Sequence, residues 1–272
     1  MTRPVTREVT HQVARQGVAL LETRGLTVRY GGLTAVDALD LRVDRGGFVG
    51  LIGPNGAGKT TAIDALSGFV PSEGEIRFGG TRIDGRRAHE RARLGLARTF
   101  QSVELFDELT VRENVLVPAE RGTPRETLRD LFTRGRRSRD ADVDSILDLL
   151  GIAELADLSP QNVSLGQRKL VTVARALAAH PALLLLDEPA AGLDSAESLA
   201  LGEKLRGIAG TDTAVVLVDH DMGLVLGVCE YLYVLDFGKV IAEGPPDLVS
   251  SDAAVISAYL GADTSEPMEN AR

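Results

Sequence analysis

The chain has 272 residues, 44 % of them hydrophobic and 25 % charged, a globular balance that allows one substantial core or two modest ones. Its net charge of -9 argues against a broad nucleic-acid footprint, which is built from arrays of Lys and Arg, although a local basic groove stays possible in principle. The single cysteine, Cys229, excludes an intramolecular disulfide, and uncharged stretches such as Ala176–Leu186 fall far short of the ~18 residues that a spanning helix needs.

In chain order, residues 1–18 carry Arg3, Arg7 and Arg15 but no apolar run followed by a small-residue cleavage site. They read as a flexible extension rather than a secretory signal, so the cytoplasm is the expected location. Leu26–Tyr30 and Leu39–Val43 alternate apolar and polar residues, and Gly31-Gly32 and Gly46-Gly47 punctuate them, a pattern of strands and turns. Phe48–Ile52 is a continuous apolar run, followed by a glycine-rich loop and a helix pattern over Lys59–Leu66. From about residue 102 to 170 the pattern turns mainly helical, with Asp144–Leu150 amphipathic, and this reads as a helical insertion. The basic stretch Arg134–Arg139 within it reads as a solvated loop. Buried strands are predicted at Leu183–Leu186, Ala214–Val218 and Tyr231–Leu235, separated by helices around 166–179 and 195–207. Strands alternating with helices predict a mostly parallel α/β sheet. Cys229 follows the apolar segment Leu224–Val228 and reads as packed core. The folded unit is expected over 19–262, with a polar flexible tail at 263–272 that includes Glu266, Pro267, Glu269 and Asn270.

The strongest local signal is Gly53-Pro54-Asn55-Gly56-Ala57-Gly58-Lys59-Thr60-Thr61, the G-x-x-x-x-G-K-[ST] pattern between a strand and a helix. Small residues let successive backbone N–H groups turn inward around phosphates, and the helix N-terminus adds partial positive charge there. Lys59 would reach the β and γ oxygens, Thr60 would offer its hydroxyl to Mg²⁺, and Thr61 would add a phosphate contact. A glycine turn that merely starts a helix is the plain alternative, and Lys and Thr in register count against it.

Such a loop alone does not separate a kinase, a GTPase and an ATPase, so the partner carboxylate matters. Leu183-Leu184-Leu185-Leu186-Asp187-Glu188-Pro189 delivers two acids at the C-terminal end of a buried strand, where ligands of open α/β sheets gather. Asp187 is expected to position Mg²⁺ and Glu188 to polarise the attacking water, turning toward the γ-phosphate just past the strand end. An acidic turn after a strand is the bland rival.

Between these two halves stands Val163-Ser164-Leu165-Gly166-Gln167-Arg168-Lys169 at the start of a helix pattern. It resembles the L-S-G-G-Q signature of ABC ATPases, with Val163 where Leu is usual and Leu165 where Gly is usual. Further residues resemble the family's elements in order: Tyr30 the aromatic that stacks on adenine, Gln101 the Q-loop glutamine, Asp194 the D-loop, and His220 the switch histidine. Each has a structural rival. Tyr30 can be a core aromatic, Gln101 a solvated loop residue, Ser164 and Asp194 helix N-caps, and His220 a surface histidine paired with Asp219 or Asp221.

The resemblance implies a P-loop NTPase fold, with a RecA-like parallel sheet core, an N-terminal antiparallel β subdomain and an inserted helical subdomain. It also implies that one chain holds half of each active site: ATP on Lys59 and Thr60 of one copy is closed over by Ser164, Gly166 and Gln167 of a facing one. Mg²⁺ would be held by Thr60, Gln101 and Asp187, with Glu188, His220 and Lys59 performing hydrolysis. Arg98-Thr99-Phe100-Gln101 through Phe106, Leu109–Val115, His220-Asp221-Met222 and Ala258-Tyr259-Leu260-Gly261 resemble the ATPases of branched-chain amino-acid importers. That implies separate permease subunits, a second identical or related ATPase subunit, an indirect solute-binding partner, and a place on the cytoplasmic face of the membrane. Related ATPases serve importers of urea, short amides and other amino acids. The rivals are an ABC ATPase working without a membrane, as in DNA repair or translation, and a nucleotide-dependent regulator that does not hydrolyse.

Overall fold

The computed structural model describes residues 19–100, 104–119, 135–208 and 211–262, and of residues 118–119, 135–139 and 260–262 only the backbone. The expected flexible segments 1–18 and 263–272, and Gln101, lie outside the described residues.

Two sheets organise the chain. The first is antiparallel and is formed by β1 (Leu21–Tyr30), β2 (Leu33–Leu39), β3 (Arg42–Val43), β5 (Glu73–Phe78) and β6 (Thr81–Arg82). Its order is β2-β1-β5-β6, with β3 also paired to β1. The second takes β4 (Phe48–Ile52), β7 (Leu96–Arg98), β8 (Leu183–Asp187), β9 (Ala214–Val218), β10 (Tyr231–Asp236) and β11 (Lys239–Gly244) in the order β11-β10-β4-β9-β8-β7. All neighbours in it are parallel except the edge pair β10 and β11.

The parallel strands are continuous apolar runs because both of their faces are covered. Period-two alternation divides β8 between two cores. Leu184 and Leu186 join Phe48, Val215 and Leu217 in one cluster, while Leu183 and Leu185 join Ile63, Leu66, Val216 and the antiparallel-sheet residues Leu21 and Val28 in the other. Helix α1 (Lys59–Ser67) is thus held between the two sheets.

The remaining helices are α2 (Ala88–Arg93), α3 (Val111–Ala119), α4 (Gly135–Leu149), α5 (Leu165–Leu177), α6 (Ser195–Arg206), α7 (Met222–Val228), α8 (Pro246–Ser250) and α9 (Ala253–Ala262). Helices α3, α4 and α5 pack together through Val111, Val115, Val143, Leu147, Leu170 and Val173. One expectation is corrected here. Gly135–Arg139, read as loop, forms the opening turns of α4. Arginine is a good helix former, and the buried Val143 and Leu147 further along anchor the helix through tertiary packing. Cys229 lies just past α7, buried, and burial pushes its thiol pKa far up, so it is an inert core residue as its apolar surroundings suggested. Among the described residues no helix is long and apolar enough to cross a membrane.

Sheet order is what builds the site. β9 lies between β4 and β8, and the register aligns Leu51 with Val218 and Val218 with Asp187. The C-terminal ends of three parallel strands therefore finish level, and the segments that follow them converge.

Candidate functional site

The fully buried β4 runs into the loop 53–58, whose backbone only glycine can follow at two points. Gly53 has φ 148, and a Cβ there would lie 2.1 Å from the Leu235 carbonyl oxygen. Gly58 has φ 103, and a Cβ there would lie 2.3 Å from the Ala35 carbonyl oxygen. Gly58 is also the N-cap of α1 and brings no side chain to cap it, so the first-turn N–H groups stay available for an anion. Lys59 is 5 % exposed, and its Nζ donates to the carbonyls of Gly53 at 2.8 Å and Pro54 at 2.9 Å. Burial lowers its pKa, opposed by the charges of Glu188, Asp219 and Asp187. Ala57 is buried, Pro54 and Thr61 are half-buried, and Asn55, Gly56 and Thr60 are exposed on the mouth of the loop.

Two strands away, Asp187 ends β8 in a buried setting. Its Oδ2 accepts from Arg98 at 2.8 Å, and the same guanidinium donates to Asp64 of α1 at 2.5 Å. Glu188 has φ 47, and its N–H donates to the Val218 carbonyl at 2.7 Å. This left-handed backbone ends the pleat at once, the physical basis for Asp187 and Glu188 departing from strict alternation. From β9, Asp219 is fully buried. Its Oδ2 accepts from Ala190 N at 3.0 Å, and its Oδ1 accepts from His220 N at 2.8 Å and Asp221 N at 3.0 Å. One carboxylate thus ties the loop after Glu188 to the turn carrying His220, whose Nδ1 lies 3.6 Å from Asp219 Oδ1 with its ring half exposed. Lys169 of α5 is also buried, its pKa lowered by that burial, and it lines a small hollow with Asp187 and Glu188.

Lys59, Asp187, Glu188 and His220 therefore gather at one end of the parallel sheet. The other candidates stand elsewhere. Tyr30 ends β1, half exposed and paired with Leu33. Ser164 is the N-cap of α5: its Oγ accepts from Gln167 N at 3.3 Å, and Gln167 Oε1 accepts from Ser164 N at 2.9 Å. Asp194 caps α6 in the same reciprocal way with Glu197. The capping roles weighed for Ser164 and Asp194 are thus real within one chain. A Cβ on Gly166 would lie 3.8 Å from Leu193, and one on Gly192 3.5 Å from Leu165, so these two helix starts sit side by side.

Asp64 was not singled out from the sequence, Arg98 and Lys169 were read only as members of longer stretches, and Asp219 only as a pairing partner for His220. Asp219 stands directly before His220, and Arg98 ends an apolar strand three residues before Gln101. Those positions are the local signal for their part in the site.

The donor set offered to a cation is the Thr60 hydroxyl and the Asp187 carboxylate, both hard oxygens. Among the described residues no three His, Cys, Asp or Glu are grouped to hold a metal. Two hard oxygens fit Mg²⁺, which is bound through one or two protein oxygens together with substrate phosphates.

Comparison with known proteins adds to this geometry. The ABC transporter family profile matches residues 36–191, and a second profile, the branched-chain amino acid ATP-binding cassette transporter, matches 239–264. The chain is 39 % identical over 251 residues to the high-affinity branched-chain amino acid transport ATP-binding protein BraF of Pseudomonas aeruginosa, covering 89 % of this chain and 98 % of that protein. It is 37 % identical over 249 residues to the corresponding LivG protein of Escherichia coli, covering 89 % and 98 %. Among solved structures, an ATP-binding cassette of an ABC transporter in its ADP conformation is 28 % identical with a TM-score of 0.76, covering 90 % of this chain and 99 % of that one.

Proposed function

Because the chain belongs to the ABC transporter family of ATP-binding cassettes, we propose that it is the ATP-hydrolysing subunit of an importer for branched-chain amino acids or a related small polar solute. It works on separate membrane permease subunits. The observation that supports hydrolysis is the level ending of β4, β9 and β8, which gathers Lys59, His220, Asp187 and Glu188. The solute class rests on the named relatives and on the match over 239–264.

ATP binds with its β and γ phosphates in the 53–58 loop, against the N–H groups at the start of α1. Lys59 exchanges the Gly53 and Pro54 carbonyls, which hold its ammonium in place, for phosphate oxygens. Thr60 and Asp187, with Gln101, would hold Mg²⁺, which would supply positive charge to neutralise what develops on the phosphates. Glu188, released from the strand pleat, orients a water in line with the γ-phosphorus and takes its proton. His220, placed by the backbone contacts of Asp219, and Lys59 stabilise the charge spreading over the γ-phosphoryl oxygens. Tyr30 stacks on the adenine.

Ser164, Gly166 and Gln167 act on the nucleotide of a facing cassette, either a second copy or a related chain, and Asp194 lies at the same interface. Closure with ATP and reopening after hydrolysis is the stroke passed to the permeases at the cytoplasmic face of the membrane.

The test is steady-state hydrolysis by wild type and Glu188→Gln, with oligomeric state followed by light scattering in ATP and Mg²⁺. The expected result is a loss of about 10²-fold or more in turnover, with the variant trapped as an ATP-bound dimer. Unchanged turnover in the variant refutes the role of Glu188; wild type that binds ATP without turnover means that a second, different cassette is required, or, if adding one restores nothing, that the regulator reading is right. Reconstitution with permeases showing no stimulation by any branched-chain amino acid removes the solute assignment.

A further inference from the structure

Arg98 has no part in the hydrolysis just described, yet it joins three elements of the site. It ends β7, its guanidinium is 8 % exposed, and it lies between Asp187 at the end of β8, 6 % exposed, and Asp64 inside α1, 28 % exposed. Nη2 donates to Asp187 Oδ2 at 2.8 Å and Nη1 to Asp64 Oδ1 at 2.5 Å. The exposed rings of Phe69 and Phe100 cover the fork, with Cζ 5.7 Å and 5.1 Å from their centroids.

We propose that Arg98 is a positioning residue for the Asp187 carboxylate: it fixes one oxygen and leaves the other directed to the nucleotide's cation. The second half of this statement rests on the ATPase reading. The first rests on the bridge alone.

The chemistry has two separable parts. A planar fork can satisfy two carboxylates on different elements at once, whereas an ammonium is a point charge that cannot hold both in one geometry. Orientation of Asp187 therefore depends on the guanidinium shape. The bridge also places one positive charge between two partly buried negative ones. Without it, Asp64 and Asp187 become a pair of hard oxygen ligands that recruit a divalent cation away from the phosphates. Shape holds the carboxylate, and charge keeps stray cations off it.

The experiment compares wild type, Arg98→Gln, Arg98→Lys and the double variant Arg98→Gln/Asp64→Asn, purified free of nucleotide. Mn²⁺ binding is titrated by the electron paramagnetic resonance signal of the free ion. ATP hydrolysis with Mg²⁺ is measured beside it. Arg98→Gln should bind Mn²⁺ without nucleotide at least about tenfold more tightly than wild type, and adding Asp64→Asn should abolish that gain. Its kcat should fall about 10²-fold while its KM for ATP changes less than about threefold, because the phosphate loop is untouched. Arg98→Lys keeps the charge but neither the fork nor its stacking on Phe69 and Phe100, so it should exclude Mn²⁺ as wild type does yet lose about tenfold in kcat. This variant also keeps the test decisive if Arg98→Gln fails to fold.

The proposal is overturned by Arg98→Lys with wild-type kcat, by Arg98→Gln with unchanged Mn²⁺ affinity, or by a gain that survives Asp64→Asn. The Mn²⁺ readout uses no nucleotide, so its failure refutes the bridge alone. Absent hydrolysis in wild type, both alone and mixed with a related facing cassette, refutes the ATPase reading instead.

Discussion

Arg91 is the largest fully buried side chain described, 2 % exposed, and each of its three nitrogens donates to a backbone carbonyl. Nε donates to Arg86 at 3.0 Å, Nη1 to Ala65 at 2.7 Å and Leu66 at 2.8 Å, and Nη2 to Asp84 at 3.0 Å. Ala65 and Leu66 belong to the last turn of α1, so the cation closes the helix that begins at the phosphate loop, against the negative end of its dipole. A charge-assisted hydrogen bond contributes about 1.5–3 kcal/mol, but burial of the guanidinium, which lowers its pKa, offsets much of that sum. Removing the buried cation while its carbonyl partners stay buried should cost about 3–5 kcal/mol, the range for breaking a buried charged network. At about 2–4 °C per kcal/mol for a chain of this size, Tm should fall by about 10 °C. Arg91→Met keeps the volume and isolates the polar loss, and Arg91→Lys should recover only a minor part. Thermal unfolding followed by circular dichroism without nucleotide decides it. A shift below about 3 °C for Arg91→Met would refute the idea that these four bonds lock the end of α1.

Three more perturbations follow from the geometry. Gly58→Ala should cost about 3 kcal/mol or more and abolish nucleotide binding, since its Cβ meets a backbone oxygen, whereas Gly56→Ala, left-handed but with open space, should cost about 1–2 kcal/mol; equal unfolding midpoints for the two would contradict this. Asp219→Ala leaves one buried and two partly buried N–H groups without their acceptor and should cost about 2 kcal/mol while lowering kcat, with Asn restoring part of both because it keeps one acceptor oxygen. Denaturant titration and turnover check it, and a neutral Asp219→Ala would exclude a tie between the Glu188 and His220 loops. Burial alone would raise the pKa of Asp221, but the Ser198 hydroxyl and the Leu224 and Gly223 amides hold it below its ordinary 3.8. Its stabilisation is therefore present above pH 3.8 and lost as pH falls through the lower folded value. The stability gap between wild type and Asp221→Asn should close in that acid window, and a pH-independent gap would speak against it.

The strands and the phosphate loop were legible because their causes are local. Leu183–Asp187, Ala214–Val218 and Tyr231–Asp236 are unbroken apolar runs, and Gly53 and Gly58 occupy positions where a Cβ would strike a neighbouring carbonyl. The start of α4 was not legible. Gly135–Arg139 has a loop-like composition, and what holds it in a helix is the packing of residues one and two turns further on. Ser164 and Asp194 show both levels at once: their capping boxes are visible as Ser or Asp followed three residues later by Gln or Glu, yet nothing local says what a facing cassette would ask of them.

By itself the sequence determined the phosphate-loop pattern and the strand-end pair of acids, because glycine spacing, a lysine in register and adjacent carboxylates act through short-range geometry. Only the tertiary structure decided that β9 lies between β4 and β8, and with it that Lys59, Asp187, Glu188 and His220 meet. Strand order is set by how helices and a second sheet cover both faces of the parallel one, a long-range packing outcome that no local pattern encodes. The same holds for Arg98, whose partners lie 34 and 89 residues away, and for the buried Asp219, which reaches 29 residues back to Ala190. Their roles arise from desolvation and charge pairing, which exist only once the chain has closed around them.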